Sequence, residues 1–156
     1  EAQLDRFLLQ VDVPYPDAEV ERKILIETTG LGDQQPHAVL NAETLIRLQR
    51  LVRAMPVGEK VLASILELVR SARPGSSTDP RVNQHVAWGP GPRAGQALML
   101  AVRARALLRG RLAPAVDDVA ALARPALVHR MQLSFGARAE GLDIDSLVDE
   151  LAERAA

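Results

Sequence analysis

Residues 92–109 read Pro-Arg-Ala-Gly-Gln-Ala-Leu-Met-Leu-Ala-Val-Arg-Ala-Arg-Ala-Leu-Leu-Arg, and Gly110 follows. Ala, Leu, Met and Arg are among the strongest helix formers, and Pro is at home in the first turn, where its missing N–H is not needed. Gly110 suits the stop. Between Ala94 and Leu108 the segment is nearly apolar all round, so other helices must cover it. It is expected to be the central helix of an all-α bundle.

The flanking segments supply the cover. Glu59 to Ala72 places Val61, Leu62, Ile65, Leu68 and Val69 at helical 3-4 spacing. Before it, Asn41 is a good N-cap for a helix over Ala42 to Ala54 with a Leu45, Leu48, Val52 stripe. On the other side a helix starts near Val116, and Pro125 should kink or split it before His129-Arg130-Met131. A last helix, Asp143 to Ala156, carries Ile144, Leu147, Val148 and Leu151 on one face. Pro74-Gly75-Ser76-Ser77-Thr78-Asp79-Pro80 is the least apolar stretch and is expected to be a mobile surface loop.

The N-terminal end differs. Arg6 to Val13 alternates partly and stops at Pro14-Tyr15-Pro16, which reads as one strand and a turn. A lone strand needs sheet partners, which this chain does not contain, so the segment should lack fixed order by itself. Pro16 and Asp17 then open a helix over Ala18 to Thr28, ended by a loop with Gly30, Gly32 and Pro36.

Composition agrees with a helical domain and excludes several classes. The chain has 156 residues, 47% apolar and 25% charged, with four aromatics and 24 alanines. A domain of that length can bury roughly 70% of the surface its unfolded chain exposes. So few aromatics do not suit a sandwich or barrel. With no cysteine there is no disulfide frame or thiolate chemistry. No apolar run approaches the ~18 residues that span a bilayer, so membrane insertion is not expected. The net charge of −1 and pI near 6.4 argue against a nucleic-acid coat. A helix-turn-helix reading also lacks a helix with a polar, base-reading face.

Charge is nonetheless uneven. Residues 86–138 sum to +6, while residues 1–40 and 139–156 each sum to −5. Either the arginines pair with the acidic ends, or they form a surface for a nucleotide phosphate or a partner protein. No catalytic constellation is evident: His37, His85 and His129 are far apart, and neither GxSxG nor GxxxxGK[ST] occurs. Asp117 and Asp118 sit at a helix start and suit capping better than acid–base work. His129 reads as a packed or surface histidine.

Two short segments carry more. Gly89-Pro90-Gly91-Pro92-Arg93 is a stiff loop that opens a helix. Arg93 in the first turn opposes the helix dipole, a conflict that a phosphate shared with the helix-start N–H groups would remove. A solvent-facing arginine after an ordinary Pro start is the plain alternative. Leu4-Asp5-Arg6-Phe7 places an arginine at the rim of the expected sheet, where ligands of α/β proteins gather. Its plain alternative is a local pair of Arg6 with Asp5.

At these two places the chain resembles the MoxR family of AAA+ ATPases. Glu1-Ala2-Gln3-Leu4-Asp5-Arg6-Phe7 looks like that family's EAQLDRF segment, and Val13-Pro14-Tyr15-Pro16-Asp17 and Ile24-Leu25-Ile26-Glu27-Thr28-Thr29 fit it as well. Trp88-Gly89-Pro90-Gly91-Pro92-Arg93-Ala94 looks like the opening of the sensor-2 helix, and His129-Arg130-Met131 fits a late helix. Many members carry Ala-Ser where this chain has Pro90-Gly91, a change that stiffens and opens the loop.

The resemblance implies an arginine-finger role for Arg6, acting on ATP held by a neighbouring subunit. It implies that Arg93 is the sensor-2 arginine, with Gly91 and Pro92 beside it at the nucleotide. It implies residues 1–30 as the last strand and helix of the ATPase core and residues 31–156 as an α-helical lid. The phosphate loop, Walker B acid and sensor 1 would precede Glu1, so ATP and Mg²⁺ are expected only with the full-length protein, and the chain alone should be inactive. The family implies a cytoplasmic ring, hexameric when complete, with chaperone-like action on partners that often carry von Willebrand A domains. A stand-alone helical interaction module, docking through its arginine-rich face, is the alternative.

Overall fold

The computed structural model describes residues 3–30 and 36–156. Glu1 and Ala2 of the matched motif and Gly32 of the expected loop lie outside them. Eight α-helices are present among the described residues: α1 (Ala18–Thr29), α2 (Ala42–Ala54), α3 (Glu59–Ser71), α4 (Pro80–His85), α5 (Pro92–Leu108), α6 (Val116–Leu127), α7 (Phe135–Ala139) and α8 (Ile144–Ala155). Two short strands, β1 (Val86–Trp88) and β2 (Gln132–Leu133), pair antiparallel. The fold is all-α, and none of the described helices is long and apolar enough to cross a membrane.

Helix starts follow local chemistry. Asp17, Asn41 and Asp143 accept hydrogen bonds from the first-turn N–H groups of α1, α2 and α8. At α6 the cap is reciprocal only in part. Asp118 accepts from the Ala115 N–H at 2.8 Å, whereas Ala115 has no side-chain acceptor to offer in return.

The core lies among α3, α5, α6 and α8, where Ile65, Leu68, Leu98, Val102, Val119, Leu127, Val148 and Leu151 are buried. The central helix α5 packs against α2, α3 and α6. Its far end is not wrapped: Leu108 is exposed. Pro125 lies inside α6 without breaking it, and the chain then tightens into a 3-10 turn, Val128–Arg130.

The loop at 74–80 is tied down, contrary to the expected mobility. Asn83 accepts from the Gly75 N–H at 2.7 Å and donates to the Ser77 carbonyl at 2.8 Å. Asp79 is buried, caps α4 and pairs with Arg81 at 3.0 Å and Arg154 at 2.6 Å. Those guanidiniums hold its carboxyl far below the usual carboxylate range. A polar composition signals a loop; here its acid is the anchor to α8.

Residues 7–17 carry neither helix nor strand. The expected strand over Arg6–Val13 is not formed, because it has no sheet to join, and the expected lack of order does not hold for its first part: Arg130 binds the carbonyls of Asp5, Phe7 and Leu8, and the Gln10 N–H reaches the Pro125 carbonyl. Arg6 itself lies in a 3-10 turn, Leu4–Arg6. The strand pair that does form was not evident in the sequence. It matches Val86 with Leu133 and Trp88 with Gln132, with an irregularity between them. It lays the Gly89–Pro92 loop beside residues 128–131, and that juxtaposition builds the site.

Candidate functional site

The loop before α5 is fixed from below. A Cβ on Gly89 would lie 2.6 Å from the Ala72 carbonyl oxygen and 2.9 Å from the Arg73 Cα, so only glycine fits. Arg73 Nε donates to the Pro90 carbonyl at 2.8 Å. Gly91 is different: its backbone is extended and nothing lies within 4 Å of where a Cβ would be. Pro92 begins α5, and the N-cap Gly91 has no side chain to satisfy the first N–H groups. Gly91 and Pro92 thus form an open lip, with the exposed Arg93 one residue further on.

Facing the lip is the turn Leu4–Arg6. One side chain from the far end of the sequence holds it. The Arg130 guanidinium is buried, and its Nε donates to the Asp5 carboxylate at 3.0 Å. Its other N–H groups go to the carbonyls of Asp5, Phe7, Leu8 and Ala126. Burial pushes its pKa down, opposed by the Asp5 carboxylate. Next to it, His129 Nε2 lies 3.2 Å from the Phe7 carbonyl oxygen, and burial pushes this histidine down as well. His129, read from the sequence as a packed or surface histidine, is half-buried in the 3-10 turn Val128–Arg130.

Arg6, Arg93 and Arg130 line one cleft of about 320 Å³, together with Asp5, Leu8 and Gln96. The sequence placed Arg6 and Arg93 in separate motifs; the fold brings them to one opening. Asp5 does not pair with Arg6, as the plain reading of the motif supposed. It spans Arg130 and Arg93 instead, the latter at 3.8 Å. Arg6 is exposed and makes no ion pair among the described residues. Chemically the cleft offers planar guanidiniums with one carboxylate already engaged, which suits an oxyanion such as phosphate. The one lining carboxylate, Asp5, is held by Arg130 and Arg93, so no free nucleophile or general base lies among those lining groups.

In the sequence Asp5 reads only as a local partner for Arg6, and Arg130 only as part of the His129-Arg130-Met131 segment. Their contact joins positions 125 residues apart, which no local pattern announces. The rest of the arginine-rich block divides: Arg105, Arg111 and Arg124 form ion pairs, only Arg124 of these with the acidic C-terminal end, while Arg103, Arg109 and Arg138 form none among the described residues. Arg124 meets Asp149 at 3.0 Å, and Arg105 and Arg111 meet the buried Asp118. Arg111 above all holds the Asp118 carboxyl down at about 2.

Comparison with known proteins bears on the fold and on the kind of protein to which the chain is similar. Residues 78–151 match the AAA lid domain family. The chain is 31% identical to the chaperone MoxR1 of Mycobacterium tuberculosis over 100% of its own length and 41% of that protein. It is 34% identical to the uncharacterised protein YeaC of Bacillus subtilis over 97% of its own length and 45% of that protein. It therefore spans less than half the length of the curated relatives it matches. A crystal structure from Cytophaga hutchinsonii, described as a candidate ATPase, superposes with a TM-score of 0.86 at 23% identity, covering 99% of this chain and 47% of that one. That likeness shows the fold. By the lid match and the relative from Mycobacterium tuberculosis, the chain resembles the lid-bearing part of MoxR-like AAA+ proteins.

Proposed function

We propose that the chain couples ATP binding and hydrolysis to chaperone-like remodelling of partner proteins, as the lid-bearing part of a ring-forming cytoplasmic ATPase. In this reading residues 1–30 belong to the ATPase core and residues 31–156 to the lid. The observation that supports it is the shared cleft: Arg6 and Arg93 open onto one space, which favours action on one nucleotide. If Arg6 is a finger reaching ATP of a neighbouring subunit, Arg93 reads that same neighbour's nucleotide, with Gly91 and Pro92 as the lip that lets phosphate approach. The guanidiniums lining the cleft favour a phosphate there. The cleft does not fit Mg²⁺, which takes oxygen ligands, since the one lining carboxylate is already engaged by Arg130. The ion would have to come with the phosphate loop of the complete protein and would supply charge neutralisation there.

A finger stabilises charge that develops in the transition state, so it acts on rate more than on ground-state binding. Arg6→Ala in the complete ATPase should therefore lower turnover by about 10³ to 10⁵ with nucleotide affinity little changed. Lysine should rescue poorly because it lacks the planar fork. Mixing Arg6→Ala subunits with subunits that lack the phosphate-loop lysine should restore some activity, and no recovery in an assembly that exchanges subunits would reject action in trans. The chain alone should turn over no ATP. Partners with von Willebrand A domains are the candidate clients. The apolar faces left exposed on α1 and α2 favour a second reading, a helical interaction module. Intact turnover in Arg6→Ala would move the weight to it.

A further inference from the structure

The geometry points to Arg130 as the positioning residue of Arg6: it clamps the finger-bearing turn to the lid. A guanidinium has five N–H donors, and Arg130 uses all five. One meets the Asp5 carboxylate, three meet the carbonyls of Asp5, Phe7 and Leu8, and one meets Ala126 in its own helix. No donor remains for a ligand, so Arg130 is no phosphate ligand although it lines the cleft. Four of the five acceptors lie on residues 5–8, on either side of Arg6. His129 adds a second donor to the Phe7 carbonyl.

Little else holds the turn. Phe7 is 63% exposed and Leu8 49%, so burial of their side chains does not fix it. Beyond it, the backbone meets the bundle where the Gln10 N–H reaches the Pro125 carbonyl at 2.8 Å. Arg6, between two clamped residues, is therefore carried with α6 and its 3-10 extension. Through its second oxygen Asp5 ties the same unit to Arg93 at the start of α5. Finger and lid arginine then move as one body, and a change in lid position is delivered to Arg6 with no separate hinge. Placement of this kind matters because misplacing a charge-stabilising group by about 1 Å can cost a hundredfold in rate.

The role assigned to Arg130 rests on the finger reading of Arg6, and two measurements separate them. In this chain, Arg130→Lys keeps the charge but offers too few donors. The amides of Arg6, Phe7 and Gln10 should exchange about tenfold faster or more, with α3 and α5 amides changed less than about twofold. Unchanged exchange at those three amides, or equal loosening of the core, overturns the clamp. Asp5→Asn leaves the buried guanidinium in place and is the milder second variant; it should speed the same amides a few-fold. In the complete ATPase, Arg130→Lys should lower kcat on the order of tenfold with KM for ATP little changed, and should cost nothing more in an Arg6→Ala background. An equal loss in that background means Arg130 acts independently of Arg6 and overturns the positioning role. Full turnover in Arg6→Ala alone removes the finger, and the positioning role with it.

Discussion

From α3 onward the chain is built around a dry core, whereas α1 and α2 have no buried side chain between them. Both regions carry amphipathic helices that look alike along the sequence, and α1 and α2 even have the side-chain caps that α3 lacks. The stripe Val20, Ile24, Leu25 on α1 faces water; on α2 Leu45 and Leu48 are exposed and only Val52, half-buried, lies toward α5. Local chemistry is enough to specify a helix: Asp17 and Asn41 cap the starts, and Thr28 and Thr29 donate to carbonyls one turn back. It is not enough to stabilise one, since helices of 12 or 13 residues are marginal in water without packing. An apolar stripe states that a surface wants cover; it does not say that this chain provides it.

The largest expected effect tests that contrast directly. Leu98 is fully buried at the centre of α5, and Leu98→Ala should cost about 3–5 kcal/mol in a denaturant titration through lost contacts and the cavity left behind. Leu25→Ala, on the exposed face of α1, should change stability by less than about 0.5 kcal/mol. Equal costs would break the comparison and show that α1 is packed in solution.

How much of this was legible beforehand divides along the same line. Helices α1, α2, α3, α5, α6 and α8 follow from periodicity, caps and breakers, with ends within a residue or so of those observed. The short α4 and α7 and the β1–β2 pair have too few residues for a period to show, and tertiary contacts decide them. Asp79 shows why: its loop looks mobile by composition, yet its carboxylate is buried under Arg154, 75 residues away. At the site, Arg6 and Arg93 were readable as motif residues. Their common cleft and the Arg130 clamp were not, because side chain to backbone bonds between distant segments leave no local pattern.

Two smaller effects probe how the bundle side is fastened. Asp118 is fully buried between Arg105 and Arg111. Asp118→Asn should cost about 3 kcal/mol, near the low end for a broken buried pair, because the arginines keep some contact with water. Its carboxyl also sits at about 2 in the folded protein against 3.8 when free, so its stabilising contribution is complete above pH 3.8 and disappears as the pH falls through about 2. The Asn variant should lose that part of the acid transition. Gly89→Ala should cost about 1–3 kcal/mol, since the new methyl meets backbone atoms that cannot step aside. Gly91→Ala, with open space around it, should be nearly neutral; a matching cost would mean that the lip is closed in solution.

The smallest effect lies on the seam between the two regions. A carbonyl can only accept, so His129 must carry its hydrogen on Nε2 to bond Phe7, and its Nδ1 is buried without a partner. Protonation would create an N–H with nothing among the described residues to receive it, beside Arg130, with the Asp5 carboxylate opposing. Burial therefore holds the folded-state pKa below the ordinary 6.5. The unfolded chain takes up a proton near 6.5 while the folded chain waits for lower pH, so stability is complete above about 6.5 and declines as the pH drops below it. His129→Gln keeps a donor for the Phe7 carbonyl but cannot titrate. Urea midpoints at about pH 7.5 and 5.5 should differ for the parent chain and hardly at all for the Gln variant, both values lying above the range where Asp118 changes charge. If the two chains lose stability equally between those values, His129 is open to water, and the N-terminal turn does not rest on the bundle in the way that the Phe7 contact requires.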